Sequence, residues 1–117
     1  MVLIDTNILS TFALIDRLSL LWSLFENNPI YISPNVFTEV TKAKIAGYSH
    51  ADKILNAIKE DKIKLLIPTK EEILLSMELP INFGYGERDS VIMAQRRAMV
   101  FVTNERRVIN YCRNEKI

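Results

Sequence analysis

Several acidic side chains lie where a short apolar segment ends or where a helix begins. Asp5 directly follows Val2-Leu3-Ile4 and is itself followed by Thr6 and Asn7. Two carboxylates about 5 Å apart repel each other by about 3 kcal/mol at an effective dielectric constant near 20. If these acids share one cleft, some must hold a proton or a cation must lie among them. The candidate acids are Asp5, Glu39, Glu87, Asp89 and Glu105.

A cluster of carboxylates with no cysteine or histidine nearby offers only oxygen ligands. Such a set favours Mg²⁺ or Mn²⁺, which keep several waters and are bound by a few carboxylates together with the phosphate oxygens of a substrate. A cation of this kind can activate water and stabilise the charge that develops when a phosphodiester is displaced. The acids therefore indicate metal-assisted phosphodiester hydrolysis, provided that they converge.

Basic residues are concentrated in the last part of the chain. Residues 86–117 carry seven bases and four acids, and six of the seven bases are Arg. Arg suits phosphate because its planar guanidinium can donate two parallel hydrogen bonds. The same charges also suit an ordinary solvated helix surface, so they do not by themselves identify a nucleic-acid-binding protein. The candidate phosphate contacts are Arg88 and Arg106, which are nearest the acids, with Arg107 and Lys42.

The acids can meet only if the elements that carry them share one edge of a sheet. Short apolar strands alternate with helical patterns, which predicts a parallel sheet with helices on both faces. In such a sheet, sites form beyond the carboxyl ends of the strands. The predicted strands are Val2–Ile4, Ile30–Ile32, Ile63–Ile67 and Met99–Val102, and the predicted helices begin near Asn7, Arg17, Pro34, Ser49, Thr69, Gly86 and Asn104.

Local signals support several of these boundaries. Ser33 before Pro34 is typical of an N-cap followed by proline in the first turn, and Thr69 with Glu72 is a capping box. On a helical wheel, Glu39 lies about 40° beyond the flank of the apolar stripe of its helix, so it can reach over the sheet edge. The wheel favours Glu87 over Asp89 as the acid that faces the site. The segment 80–85 is predicted to be a loop.

Composition excludes several other classes of protein. The chain has 117 residues, a net charge of +1, one Cys and one His, so an internal disulfide framework and a Cys-rich zinc site are ruled out. The longest apolar run, Leu18–Phe25, is far shorter than the ~20 residues of a membrane span. The start MVLIDTN lacks a basic segment typical of a signal peptide. We therefore expect one domain in the cytoplasm, without a membrane partner.

Four segments in order, LIDTNIL, SPNVFTEV, GERDSVIMA and VFVTNERRV, resemble the acidic motifs of PIN domains. This family includes the VapC-type toxin ribonucleases and related small archaeal and bacterial proteins. The resemblance runs over nearly the whole chain. It implies an α/β fold of three layers, α/β/α, around a central parallel sheet of four strands. Whether there is a fifth strand stays open, because many family members continue into one after the position of Cys112, whereas this sequence is short there.

The resemblance also implies roles for individual residues. Glu87 matches the additional acid of a subgroup with a Gly-Glu motif. The last family acid is usually Asp, whereas this chain has Asn104 and then Glu105, whose carboxylate lies about one methylene further out. The implied catalytic residues are Asp5, Glu39, Glu87, Asp89 and Glu105; the implied metal ligands are Asp5, Glu39, Asp89 and Glu105; and the implied supporting residues are Thr6, Asn7, Thr103 and Asn104.

These motifs predict a Mg²⁺- or Mn²⁺-dependent endoribonuclease that cuts single-stranded RNA and serves as the toxin of a toxin–antitoxin pair. An antitoxin protein and a second copy of the chain are the further expected partners. The alternative is a PIN-like RNA-binding module with weak or no catalysis, which the Glu105 departure favours. A phosphatase of another α/β family is disfavoured, because Asp5-Thr6-Asn7 lacks the Asp-x-Asp nucleophile pattern.

Overall fold

A computed structural model describes residues 1–26, 28–79 and 83–115. Residues 80–82, which belong to the predicted loop 80–85, lie outside this described part. The described elements, in chain order, are β1 (Val2–Ile4), α1 (Thr6–Leu14), α2 (Leu18–Leu24), β2 (Ile30–Ile32), α3 (Pro34–Ile45), α4 (His50–Lys59), β3 (Ile63–Leu65), α5 (Lys70–Ser76), α6 (Tyr85–Arg97), β4 (Val100–Val102) and α7 (Arg106–Asn114).

The four strands form one parallel sheet in the order β3-β2-β1-β4. Val2 is in register with Ile30 on one side and with Val100 on the other, so β1 lies in the interior of the sheet. The predicted parallel sheet of four strands is therefore confirmed, and the described residues contain no fifth strand. Because the strands are parallel, their carboxyl ends share one edge.

Helices cover both faces of the sheet, which gives the predicted three layers. Alternate residues of a strand point to opposite faces. Ile4 and Ile32 pack into a core shared with α1 to α4, whereas Leu3 packs against Met93 of α6 on the other face. A further apolar cluster joins α6 and α7 through Val91 and Val108. No helix in the described ranges combines the length and the apolar character that crossing a membrane requires.

Several boundaries differ from the prediction by a few residues, and the larger differences have local reasons. β3 ends at Leu65 instead of residue 67, because its partner strand β2 stops at Ile32. The Ile32 carbonyl accepts the last hydrogen bond between the two strands, from the amide of residue 66 just after β3. α5, which the capping box and apolar pattern predict to continue to about residue 79, ends at Ser76, since the chain tightens there into bonds between residues three apart. α6 begins one residue early, at Tyr85. α7 begins at Arg106 and not near residue 104, because the Thr103 hydroxyl accepts a bond from the amide of residue 105.

The helix that carries Glu39 depends on its N-cap. The Ser33 hydroxyl accepts a hydrogen bond of 3.2 Å from the Val36 amide, and Ser33 is fully buried. We expect Ser33→Ala to lower the free energy of unfolding by about 1–2 kcal/mol, measured by urea denaturation. Ser49 is the matched control, because it stands at the N-cap of α4 and makes no side-chain cap bond. Equal effects of Ser33→Ala and Ser49→Ala would contradict this role of the cap.

Candidate active site

Asp5 lies at the carboxyl end of the interior strand β1, where the chain turns into α1. It is the N-cap of that helix: one carboxylate oxygen accepts a bond of 2.9 Å from the Ile8 amide. The other oxygen accepts a hydrogen bond from the Thr103 hydroxyl, at the end of the adjacent strand β4. Asp5 is only 4% exposed. Strand end, helix start and neighbouring strand therefore fix this carboxylate in one position.

The surroundings of Asp5 oppose its negative charge. Burial raises the pKa of Asp5 above its ordinary value, and the nearby carboxylates of Glu105 and Glu39 raise it further, while the bonds from Thr103 and Ile8 act in the opposite direction. A cation beside Asp5 would relieve both the burial and the repulsion. The site is therefore electrostatically suited to bind positive charge.

Glu39 reaches over the same sheet edge from the second turn of α3. The Thr6 hydroxyl donates a bond of 2.6 Å to Glu39 Oε2, which places the Glu39 carboxylate next to the start of α1. This is the direction that the helical wheel predicts. Asp5, Glu39 and Glu87 line a small cavity of about 40 Å³, together with Thr6, Asn7, Val36 and Gly84. We call this cavity the acid pocket.

Glu87 enters the acid pocket from the first turn of α6. Its Oε2 atom accepts a bond of 3.0 Å from the Gly84 amide and lies 3.9 Å from Nη2 of Arg107. Burial raises the pKa of Glu87, and the nearby Glu105 and Asp5 carboxylates also raise it, whereas Gly84 and Arg107 lower it. Glu87, which the wheel favours over Asp89, therefore lines the acid pocket.

Asp89 is buried on the inner side of α6 and does not line the acid pocket. Its Oδ2 atom accepts a bond of 2.8 Å from the side-chain amide of Asn35 in α3. Burial raises the pKa of Asp89 to about 6, although the neighbouring side-chain donors of Ser33 and Asn35 lower it. Its Oδ1 atom is buried without a hydrogen-bond partner among the described residues. Asp89 thus links α6 to the helix that carries Glu39, and its role as a metal ligand stays a prediction.

Glu105 approaches the site from the loop between β4 and α7. Its Oε1 atom accepts a bond of 2.9 Å from the Asn7 side-chain amide, across the sheet edge. The longer Glu side chain therefore spans the distance to α1. Of the predicted supporting residues, Thr6, Asn7 and Thr103 each hold one of the acids. Asn104 is exposed and lines an outer concavity beside Arg106.

The candidate phosphate contacts differ in whether their cationic groups already interact with other residues of the protein. Arg107 pairs with Glu87, and Arg88 donates a bond of 3.1 Å to the Phe83 carbonyl. Lys42 and Arg106 are exposed. These positions agree with contact to a polyanion, and the contact itself stays a prediction.

Sequence reasoning missed Asn35 as part of the site. Asn35 lies one helical turn before Glu39 in α3, so both side chains leave the same face of that helix. That spacing of four residues was the available signal. Its importance depends on Asp89, which is distant in sequence, so the contact could not be inferred from α3 by itself.

The donor chemistry of the site fits a hard divalent cation. All available ligands are oxygens, and the buried Oδ1 atom of Asp89 lacks a partner. In the described part of the chain, no three acidic, His or Cys side chains are grouped so that they could hold a metal ion as they stand. Mg²⁺ is usually bound by one or two carboxylates and several waters. Asp5 and Glu39 both line the acid pocket, and their role as metal ligands stays a prediction.

Comparison with known proteins gives an independent result. A protein-family model described as a PIN domain matches residues 1–117, the full length of the sequence. None of the curated proteins matches the chain. PIN domains are typically nucleases and generally use divalent metal ions. With a parallel four-stranded sheet between helical layers, and acids gathered at its carboxyl edge, the chain belongs to the PIN-domain family.

Proposed function

We propose that this PIN domain is a Mg²⁺- or Mn²⁺-dependent endoribonuclease that hydrolyses single-stranded RNA. The observation that carries the proposal is the acid pocket. Asp5, Glu39 and Glu87 come from three elements that are far apart in sequence, and all line one cavity. Glu105 is close enough to raise the pKa of both Asp5 and Glu87. A surface with no function in binding positive charge would gain nothing from this repulsion.

Each residue of the pocket has a distinct part in the proposed reaction. Asp5 and Glu39 would hold the cation, with Thr103 and Thr6 fixing the direction of their carboxylates. Glu87 lies in the pocket with a raised pKa, so its carboxylate can exchange a proton with water there. When bound, the cation supplies activation of water and stabilisation of charge on the phosphodiester. Asp89 holds α3 against α6 through Asn35 and so keeps Glu39 in place.

A cleavage assay tests the proposal directly. The purified chain is incubated with end-labelled single-stranded RNA and Mn²⁺, and the products are resolved on a denaturing gel. We expect internal cuts that depend on protein concentration and disappear when EDTA is added. Intact RNA at every metal concentration, with protein shown to be folded by circular dichroism, would contradict the assigned activity.

A second function is an RNA-binding module with weak or no catalysis. The observation in its favour is that all five candidate acids already accept hydrogen bonds within the protein; Thr6, for example, donates to Glu39, and Asn7 donates to Glu105. The departure from Asp to Glu at position 105 points the same way. This alternative predicts salt-sensitive RNA binding without products.

The substitution Glu105→Asp separates the two functions. The shorter side chain falls about 1.5 Å short of Asn7, so the bond of 2.9 Å would be lost. For an active nuclease adapted to Glu, we expect kcat/KM for RNA to fall about tenfold. The control is Glu115→Asp, an exposed residue at the other end of α7. If Glu105→Asp instead creates or raises cleavage, the native Glu at position 105 weakens catalysis, and the result favours the RNA-binding module over the active nuclease.

The cellular role that we propose is the toxin of a toxin–antitoxin pair in the cytoplasm, with an antitoxin protein as partner. A homodimer is a further proposal. Inducing the chain in a bacterial host should arrest growth, and the same chain carrying Asp5→Asn should not. Growth that continues with the wild-type chain, although the protein accumulates and cuts RNA in vitro, would separate the nuclease from the toxin role.

A further inference from the structure

Two arginines of α7, Arg106 and Arg113, differ from Arg96, Arg97 and Arg107 in that they form no ion pair with a described acid. Arg96 and Arg97 of α6 are paired with Glu71 and Glu72, and Arg107 is paired with Glu87. In contrast, the exposed guanidinium groups of Arg106 and Arg113 make no hydrogen bond or ion pair with any residue in the described ranges. Their full charge is therefore available to a ligand.

Arg106 and Arg113 lie on one face of α7. With Asn110 between them they follow the spacing i, i+4 and i+7, which brings side chains to the same side of a helix. They line a concavity of about 400 Å³ together with Asn104 and Ile109, and none of the described residues that line it is acidic. We call Arg106, Asn110 and Arg113 the α7 basic face.

The α7 basic face is related to the acid pocket through Thr103. A second concavity of about 300 Å³ adjoins the first, shares Ile109 and Arg113 with it, and extends to Thr103. The Thr103 hydroxyl donates to Asp5, which lines the acid pocket. Thr103, in the loop between β4 and α7, therefore lines the concavity that Arg113 also lines and contacts an acid of the acid pocket.

We propose that the α7 basic face binds the phosphate backbone of single-stranded RNA beside the acid pocket. The proposal rests on the proposed ribonuclease function and goes beyond it, because it assigns Arg113 and Asn110, and selects Arg106 over Arg88 and Arg107. Arg106 and Arg113 are separated by about 10.5 Å along the helix, so they contact different phosphates of one strand. Asn110 can donate to a phosphate between them.

Salt dependence of binding distinguishes phosphate contact from general surface charge. For single strands, the slope of log K against log salt is about −0.7 for each phosphate neutralised. We therefore expect the double substitution Arg106→Ala and Arg113→Ala to lower the magnitude of this negative slope by about 1.4. We also expect it to weaken binding about tenfold or more. Binding is measured by fluorescence anisotropy of a labelled single-stranded RNA over a KCl series, with EDTA present so that the RNA stays intact.

The matched control is Arg17→Ala. Arg17 is exposed and also lacks an ion pair with a described residue, but α1 separates it from the acid pocket by about 13 Å of helix. We expect its slope to stay that of the wild type. A double substitution to Lys keeps both charges, and we expect it to retain the slope.

The outcomes separate this inference from the proposed function. If the wild-type chain cuts and binds RNA while the double Ala variant keeps the wild-type slope and affinity, the α7 basic face is not the contact surface and the nuclease proposal stands. If Arg17→Ala lowers the affinity and the magnitude of the slope by half as much as the double Ala variant or more, the arginines of the α7 basic face contribute only general surface charge. If the wild-type chain neither binds nor cuts RNA, both proposals fail together.

Discussion

Replacing Asp5 by Asn should lower kcat/KM for RNA cleavage by about a thousandfold or more while leaving the fold intact. A thousandfold loss corresponds to about 4 kcal/mol of transition-state stabilisation. The reason is the central position of Asp5: it lines the acid pocket, it is almost fully buried, and its pKa is raised by burial and by the Glu105 and Glu39 carboxylates. An amide keeps the shape of the side chain but removes the charge that would hold a cation.

The fold should survive because Asn keeps the N-cap bond of Asp5, and its side-chain NH2 can donate to the Thr103 hydroxyl in place of the bond that Asp5 accepts from it. Asn is as good an N-cap as Asp, so its carbonyl oxygen can accept the bond that the Ile8 amide now donates to Asp5. The substitution also removes a buried charge that other acids repel. We therefore expect the Tm of metal-free Asp5→Asn to equal or exceed that of the wild type.

The measurement is initial-rate cleavage of single-stranded RNA with Mn²⁺, together with thermal unfolding followed by circular dichroism. Asp52→Asn is the matched control, because Asp52 is an exposed acid in the first turn of α4, paired with Lys44 at 3.4 Å. It should cut at the wild-type rate. Cleavage by Asp5→Asn at the same rate as Asp52→Asn would remove the acid pocket from the reaction.

The positions of the acids along the fold could be predicted because each depends on a local signal. Asp5 follows an apolar strand, and Ser33-Pro34 fixes the start of α3, which sets the direction of Glu39. Parallel strands then bring these residues to one edge without any further information. The same reasoning identified Glu87, since the wheel and the first-turn position agree.

The contacts between side chains of different elements could not be predicted in the same way. A helical wheel gives the direction of a residue relative to its own helix, and not the identity of the neighbour that it meets. The bonds from Asn35 to Asp89 and from Asn7 to Glu105 join elements that only the tertiary structure brings together. The pairing of Arg97 in α6 with Glu72 in α5 is of the same kind.

That last pair underlies the second large effect, which concerns stability. Glu72 is the capping-box acid of α5, and its side chain is only 3% exposed. Arg97 of α6 donates to both of its oxygens, at 2.6 and 3.1 Å, and the Thr69 amide donates to Oε1 at 2.8 Å. We expect Glu72→Gln to lower the free energy of unfolding by about 2 kcal/mol at pH 7, because it leaves the buried side of Arg97 without its counter-charge.

The difference between the wild type and Glu72→Gln should depend on pH in a direction that the pKa sets. The hydrogen bonds from Arg97 lower the pKa of Glu72 from 4.5 to about 2. A lowered pKa means that the stabilisation is fully present above the unfolded value of 4.5 and is lost as the pH falls towards 2. At about pH 3 less than half of the difference should remain.

Urea denaturation at pH 7, 4 and about 3 measures this difference, with Glu71→Gln as the matched control. Glu71 is the neighbouring acid, is 69% exposed, and pairs with Arg96 at 3.2 Å, so an exposed pair can be compared with a buried one on the same two helices. Because solvent screens exposed pairs, we expect Glu71→Gln to change the free energy of unfolding by less than about 0.5 kcal/mol at every pH. A Glu72→Gln effect that is the same at pH 3 as at pH 7 would mean that packing around residue 72, and not its charge, joins α5 to α6.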